Sequence, residues 1–302
     1  MRGGCRTFWS ALALMLIAPA VMAADAGLAT AYSRLQQAAA MPGPIHLRNE
    51  QLRKLYAASI APQQTVGHAA TATPADLATL YDAAGFMATT VRDTAYLRDM
   101  QLDLSELQRR KLDTDAVYQS MYGALVITRR FPEATTLARR HRSAKLEVLP
   151  RLVESSDLRK SGPTELAFSP DGKTLTRQHV NLGKSIGMVV VGSPSDAATA
   201  AAVSAIEADP KLSTALREKM TLVAPPTPAL DAAAFGKWNA THPATPMTLV
   251  YRESEWTMIT HWTVPTFYVL DHGKVIATIQ DTDPAVVRRK IAAALEARRP
   301  SK

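Results

Sequence analysis

Residues 262–279 have the sequence WTVPTFYVLDHGKVIATI, and this stretch decides the fold of the second half of the chain. An apolar run at residues 266–270 is interrupted by Asp271-His272-Gly273-Lys274 and resumes at residues 275–279, which is typical of a β-hairpin. Gly273 supplies a turn conformation that a Cβ would hinder. The first strand is apolar almost throughout, so we expect it to be buried on both faces.

Pro265 stands directly before the first of these strands. A proline in a central strand removes a ladder donor, so it is tolerated only at the first residue, at an edge or at a bulge. Val264-Pro265-Thr266, followed by a strand, a turn and a second strand, resembles the cis-proline loop and closing hairpin of the thioredoxin fold. That resemblance implies a loop that faces the redox cysteines and holds a substrate backbone, with Val264, Pro265 and Thr266 as partner-binding residues.

A second part of the resemblance lies upstream, at residues 186–191. This apolar run is short enough for a buried central strand, and Gly192 follows it. A helix is then predicted with Ser193 as N-cap and Pro194 at its first position. A buried strand, a tight turn and an alanine-rich helix stand where thioredoxin-fold proteins carry Cys-x-x-Cys. The similarity is closest to periplasmic disulfide isomerases and covers about residues 184–300.

In that register the two cysteine positions hold Asp196 and Thr199; a register that uses Ser193 and Asp196 stays open. The single cysteine of the chain is Cys5, in the N-terminal segment. Without a thiolate the mature chain cannot carry out thiol–disulfide exchange. A helix N-terminus stabilises negative charge, so a carboxylate at Asp196 suits the position without redox chemistry. We assign no catalytic residue, and we count Ser195 and Asp196 with the proline loop as candidate partner-binding residues.

The N-terminus is typical of a secretory signal. Arg2 and Arg6 precede an apolar region at residues 8–18, and a small-residue site follows it. We predict a signal peptide over residues 1–23 that is cleaved after Ala23, a periplasmic or secreted protein, and no membrane span after cleavage. The mature chain would then carry 33 basic against 27 acidic residues. Since this excess is spread along the chain, it does not indicate a nucleic-acid partner.

Residues 24–160 have helical periodicity, with a strong helix start at Thr73-Pro74-Ala75-Asp76. Residues 61–73 are predicted to be a loop. The following helices include a pair that resembles a tetratricopeptide unit, in which Gly123 and Ala134 would allow close packing. The same region holds the densest group of cations. We interpret it as basic residues favoured at helix C-termini, on a solvated face; a patch for an acidic partner or a membrane surface is the alternative. Its members are Arg129, Arg130, Arg139, Arg140, His141, Arg142 and Lys145.

The sequence therefore predicts a two-domain chain of mixed α+β and α/β class. A helical, repeat-like domain at residues 24–160 is followed by a hairpin and linker at residues 161–183 and by a thioredoxin-like α/β sandwich at residues 184–302. Within the last of these, residues 253–262 are predicted to form a helix that delivers the chain to Pro265.

No cofactor or metal is predicted. Three histidines, His242, His261 and His272, lack the spacing of a zinc site, and no phosphate-binding glycine loop is present. The leading functional hypothesis is an exported, redox-inactive thioredoxin-like protein that binds a polypeptide or acts as an adaptor. The alternatives are a divergent enzyme with non-thiol chemistry at Asp196, and a structural adaptor that works through the helical half. The sequence does not determine the oligomeric state.

Overall fold

A computed structural model describes residues 20–159, 162–183 and 185–298. Within these residues the first half of the chain is helical and the second half contains an eight-stranded mixed sheet. The predicted signal peptide lies outside the described residues except for its last four, and Cys5 lies outside them as well. No helix of the described ranges is long and apolar enough to cross a membrane.

The helical half begins its elements where the sequence provides caps. Thr73 and Thr114 each accept a hydrogen bond from a backbone N–H of the first turn that follows, as an N-cap does. The expected loop at residues 61–73 is wrong in part, because Thr65 caps a short helix there and the buried Ala69 anchors it. The helices are α1 (Ala20–Ala40), α2 (Ile45–Ser59), α3 (Val66–Thr71), α4 (Pro74–Thr90), α5 (Ala95–Arg109), α6 (Asp115–Ile127) and α7 (Phe131–Arg140).

The sheet has the strand order β1-β3-β2-β6-β5-β4-β7-β8. Strands β4, β5 and β6 are parallel neighbours, whereas β7 runs antiparallel to both β4 and β8. The hairpin formed by β2 and β3 joins the same sheet, because β2 pairs with β6. The strands are β1 (Arg151–Glu154), β2 (Thr164–Phe168), β3 (Thr174–His179), β4 (Ile186–Val191), β5 (Met220–Ala224), β6 (Met247–Val250), β7 (Thr266–Asp271) and β8 (Lys274–Ile279).

The hairpin predicted from residues 262–279 is confirmed as β7 and β8. His272 and Gly273 form its two-residue turn, and both have a positive φ, of 50° and 76°, as the turns that match strand twist require. The first five residues of β7 are buried. Strand β7 is therefore a central strand, and Pro265 stands immediately before it.

Four helices accompany the sheet: α8 (Ala197–Glu207), α9 (Pro210–Leu216), α10 (Ala232–Thr241) and α11 (Pro284–Glu296). Helices α8 and α11 pack against each other and contribute Val203 and Ile291 to the core on one face of the sheet. The opposite face carries a smaller buried cluster around Val189, Tyr268 and Trp256. Alternate residues of β4 thus enter two different cores, which confirms its burial on both faces.

The chain between β6 and β7 corrects one prediction. Residues 253–262 do not form a helix; only Glu253–Glu255 makes a short 3-10 turn. The reason is that Trp256 is fully buried, and its indole Nε1 donates to the carbonyl of Thr164 at 3.2 Å. This segment therefore closes the second face of the sheet as irregular chain fixed by its aromatic side chains.

The helical half and the sheet share one buried cluster. Tyr122 and Phe131 of the helical half belong to the same apolar core as Leu166 and Val190 of the sheet. The expected role of Gly123 is also corrected: a Cβ on it would lie 3.2 Å from Cβ of Pro228, in the chain that follows β5. Gly123 therefore allows close approach of the second half of the chain. The domain boundaries stay a prediction.

Candidate functional site

The predicted site lies where β4 ends and β7 begins. The two strands are antiparallel neighbours, and Val191 pairs directly with Thr266. The loop that follows Gly192 and the loop that ends in Pro265 therefore leave the same edge of the sheet. The Val264-Pro265 peptide bond is cis, as the resemblance implied.

Asp196 begins helix α8, and this corrects the expected helix start at Ser193. The Asp196 carboxylate accepts hydrogen bonds from the backbone N–H and the hydroxyl of Thr199, both at 2.6 Å. Asp196 is thus the N-cap itself, and the first helical residue is Ala197. The Ser193 hydroxyl instead accepts from the N–H of Ser195 at 3.3 Å, within the turn that precedes the helix.

Two of the predicted site residues are structural. Thr199 and Thr266 are fully buried, and the Thr266 hydroxyl donates to the carbonyl of Thr263 at 2.6 Å. Neither side chain can contact a partner, because each is enclosed and hydrogen-bonded within the chain. They hold the two loops in place.

The remaining site residues differ in accessibility. Ser195 is exposed, Asp196 and Val264 are half-buried, and Pro265 is buried. The described residues include no cysteine, and no group of three or more of their histidines and carboxylates could hold a metal ion. One carboxylate oxygen of Asp196 accepts two hydrogen bonds, and the site presents a small polar surface at Ser195 beside the proline loop.

Gly192 is required where the β4 loop meets helix α8. A Cβ at this position would lie 2.6 Å from Cγ2 of Thr199, which the Asp196 carboxylate holds in place. We expect Gly192→Ala to lower the free energy of unfolding by about 1 to 3 kcal/mol, the usual cost of overpacking a core. Urea denaturation measures this change.

The matched control for Gly192→Ala is Gly236→Ala. Gly236 is exposed on helix α10, and a Cβ there would meet no atom within 4 Å. Its replacement should leave stability unchanged or raise it by up to about 1 kcal/mol, because alanine favours a helix over glycine. Equal stability of the two variants would refute the close packing of Gly192 on Thr199.

A second feature, which the sequence did not indicate, is a cleft of about 550 Å³ between the helical half and the sheet. Its walls come from α2, from the ends of α4 and α6, and from the chain after β5 and β6. Pro226 and Tyr251 place it at the carboxyl ends of two parallel strands, the edge at which α/β sheets commonly bind ligands. Trp262, three residues before Pro265, belongs to its wall.

Arg129 is the residue that joins the two halves of the chain at this cleft. Its side chain is buried, with Nε donating to the Tyr251 carbonyl at 2.8 Å and Nη2 donating to the Val250 carbonyl. Burial, and then the positive charge of Arg92, lower the pKa of Arg129 to about 9. The interpretation of Arg129 as part of a solvated cationic face is therefore wrong.

Arg92 lies beside it in the cleft wall and forms an ion pair with Glu253. It follows helix α4 with a φ of 57°, a left-handed conformation that few residues other than glycine adopt. Burial, and then the charge of Arg48, lower the pKa of Arg92. This pair could not be predicted from the sequence, because 161 positions separate its members along the chain.

In the second half of the chain β4 lies between the parallel strand β5 and the antiparallel strand β7, β8 closes the sheet beyond β7, and helices α8 and α11 pack on one face. This half carries no cysteine pair at the end of β4.

No protein-family profile matches the chain, and no curated protein matches it. Among solved structures it is similar to a thioredoxin-like protein from Bacteroides caccae ATCC 43185. The two share 11% sequence identity, the TM-score is 0.32, and the match covers 96% of this chain and 99% of that one.

Proposed function

We propose that this chain is an exported, redox-inactive thioredoxin-like protein that binds a polypeptide partner beside Pro265. The observation that carries the proposal is the pairing of Val191 with Thr266, which brings the exposed Ser195 loop to the edge of the sheet where Pro265 lies. No cysteine stands at this edge, so a bound chain would be held and not reduced or oxidised. Export through the signal peptide of residues 1–23 is part of the proposal.

Asp196 supports this function through position and not through acid–base chemistry. Its carboxylate caps helix α8 through Thr199, and that use fixes the loop that presents Ser195. An enzyme with Asp196 as acid or base would use a carboxylate free to turn toward a substrate, whereas Oδ2 of Asp196 is held by two hydrogen bonds from Thr199. The capping geometry therefore favours binding over catalysis.

A second surface for a polypeptide partner is the helical half. Among the described residues, the large apolar side chains that stay exposed all precede the sheet. Exposed apolar side chains mark an interaction site only where they form a contiguous patch, so these side chains are individual candidate contacts for the adaptor alternative. They are Met41, Leu47, Val66, Leu112 and Val148.

The test is binding of a fluorescein-labelled, reduced and alkylated unfolded protein, followed by fluorescence anisotropy. We expect Ser195→Arg to weaken binding about tenfold or more, because it places a bulky cation on the exposed loop beside Pro265. Ser204→Arg is the matched control, since Ser204 is an exposed serine on helix α8, which follows the Ser195 loop. That variant should bind like the wild type.

The other outcomes decide between the two surfaces. Weakening by Val66→Lys alone, with Ser195→Arg unchanged, would move the site to the helical half. No saturable binding by the wild type, or equal affinities for Ser195→Arg and Ser204→Arg together with an unchanged Val66→Lys, would reject the proposed function at both surfaces.

A further inference from the structure

The cleft between the helical half and the sheet has the dimensions of a small-molecule site. Its volume of about 550 Å³ lies within the range of about 300 to 1,000 Å³ that is usual for ligand pockets. Its wall combines charged side chains with the aromatic residues Tyr251, Trp256 and Trp262. A cleft of this kind selects a ligand by the sign of its charge first and by its apolar surface second.

Arginines outnumber carboxylates around this cleft. Four arginines line it, against two carboxylates, Asp93 and Glu253. Those four are Arg53, Arg92, Arg129 and Arg252. A fifth, Arg48 on helix α2, is near enough for its charge to lower the pKa of Arg92.

The two carboxylates do not neutralise this cluster. Glu253 pairs with Arg92, and Asp93 stands 3.8 Å from Arg53 in a longer and more exposed contact. Arg129 donates to three backbone carbonyls, those of Tyr251, Val250 and Val126, which accept its hydrogen bonds but carry no net charge. The wall therefore keeps an excess of positive charge, partly in a buried setting where such an excess is costly.

Hydrogen-bond donors are also left over within the cluster. In the described parts of the chain, Nε of Arg48 and Nε of Arg92 are buried without a hydrogen-bond partner, as are two acceptors, Oδ1 of Asn49 and Oε1 of Glu253. Buried donors are nearly always satisfied in folded proteins. Moreover, the charge of Arg92 lowers the pKa of Arg129 as that of Arg48 lowers the pKa of Arg92, so the guanidinium groups repel one another.

We propose that this cleft binds a small organic oxyanion, a carboxylate or phosphate ester, whose charged group meets Arg92, beside the charge of Arg48, and whose apolar part packs on Trp262. The planar fork of a guanidinium matches both kinds of oxyanion, often through two parallel hydrogen bonds. The negative charge of the anion would offset the excess positive charge of the wall and reduce the repulsion among the arginines. This site is independent of polypeptide binding beside Pro265.

The aromatic wall adds a requirement on the rest of the ligand. Trp256 and Trp262 meet edge to face, with ring centroids 6.4 Å apart, and Trp262 is only half-buried. Arg252 lies over the ring of Tyr251 at 5.2 Å. A ligand with a flat apolar group next to its charge fits this wall better than a bare inorganic ion.

The experiment titrates the full chain with phenyl phosphate and with benzoate, each against sodium chloride at equal ionic strength. Tryptophan fluorescence and calorimetry follow binding, since Trp256 and Trp262 lie in the cleft wall. We expect saturable binding of at least one probe, with a Kd between about 10 μM and 1 mM. The probe that binds more tightly identifies the charged group.

The variants Arg92→Gln and Arg48→Gln should each weaken this binding about tenfold or more. Arg289→Gln, which removes a positive charge from the exposed face of helix α11, should bind like the wild type. If circular dichroism shows that Arg92→Gln fails to fold, Arg48→Gln decides alone. The proposal is overturned if neither probe binds saturably below about 10 mM, or if Arg289→Gln weakens binding as much as Arg48→Gln.

Discussion

Arg129→Met is expected to lower the free energy of unfolding by about 3 kcal/mol or more, because a charged donor loses its two hydrogen bonds to the second half of the chain, at about 1.5 to 3 kcal/mol each. These are the bonds to the carbonyls of Tyr251 and Val250. Methionine fills a similar volume but donates nothing, so both carbonyls would stay buried without this partner. Position 129 has a φ of 65°, and arginine and methionine bear the same backbone strain there.

The neighbouring Arg130 gives a matched control. Its side chain is half-exposed and forms an ion pair with Glu133 three residues further along the same helical region. Exposed pairs of this kind contribute about 0 to 1 kcal/mol, so Arg130→Met should change stability by no more than that. Urea denaturation with detection by circular dichroism measures both variants. If the two variants lost the same free energy of unfolding, the hydrogen bonds of Arg129 would not stabilise the contact between the two halves of the chain.

Asp103 should make the stability of the wild-type chain fall by roughly 4 kcal/mol between about pH 4 and pH 7. This carboxyl, on helix α5, is fully buried, and within the described residues neither of its oxygens has a hydrogen-bond partner. Burial, and in smaller part the charge of Asp99, raise its pKa from 3.8 to about 7, while Gln64 opposes the rise.

The sign follows from which state holds the proton. Between pH 3.8 and about 7 the native chain keeps a proton on Asp103 and the unfolded chain has released it. The stabilisation is therefore complete below pH 3.8 and is lost as the pH rises through the native pKa. Asp103→Asn cannot titrate, so it should match the wild type near pH 4 and be the more stable protein by up to roughly 4 kcal/mol above pH 7.

The comparison of pH profiles isolates this one group. Other residues also titrate in the same interval, but they do so equally in the wild type and in Asp103→Asn. Glu296→Gln, at an exposed position near the end of helix α11, removes a carboxylate without touching the core and should leave the profile of the wild type unchanged. Parallel profiles for the wild type and Asp103→Asn would contradict the prediction.

Local rules were enough to predict most of the elements. Thr73 and Asp283 are each followed by a proline, and each has a side chain that can cap a helix. This pattern lies within four residues of sequence, and both helices begin there. The turn at His272 and Gly273 is equally local. Asp196 shows the limit of such rules: Ser193 and Asp196 could each cap a helix, and the buried Thr199 hydroxyl, which Asp196 also binds, favours the later start.

The cleft could not be predicted, because its chemistry comes from contacts between distant residues. In the sequence, Arg92 is a cation after a helix and Glu253 is an acid in an expected helix. They form an ion pair only in the folded chain. Arg129 in sequence is one member of a basic group. Its side chain is buried because strand β6 ends beside it, where the carbonyls of Val250 and Tyr251 accept hydrogen bonds from its guanidinium. Periodicity and spacing describe one helix or strand at a time, so they cannot predict a contact between residues of two distant elements.

The Arg129 bonds also bear on the order in which the chain is made. The two acceptor carbonyls lie 121 and 122 residues after the guanidinium that binds them. At a synthesis rate of about 5 to 20 residues per second, roughly 6 to 24 s pass between the emergence of the donor and that of its acceptors. During that interval Arg129 must stay hydrated, so the end of helix α6 reaches its final packing only after β6 has left the ribosome.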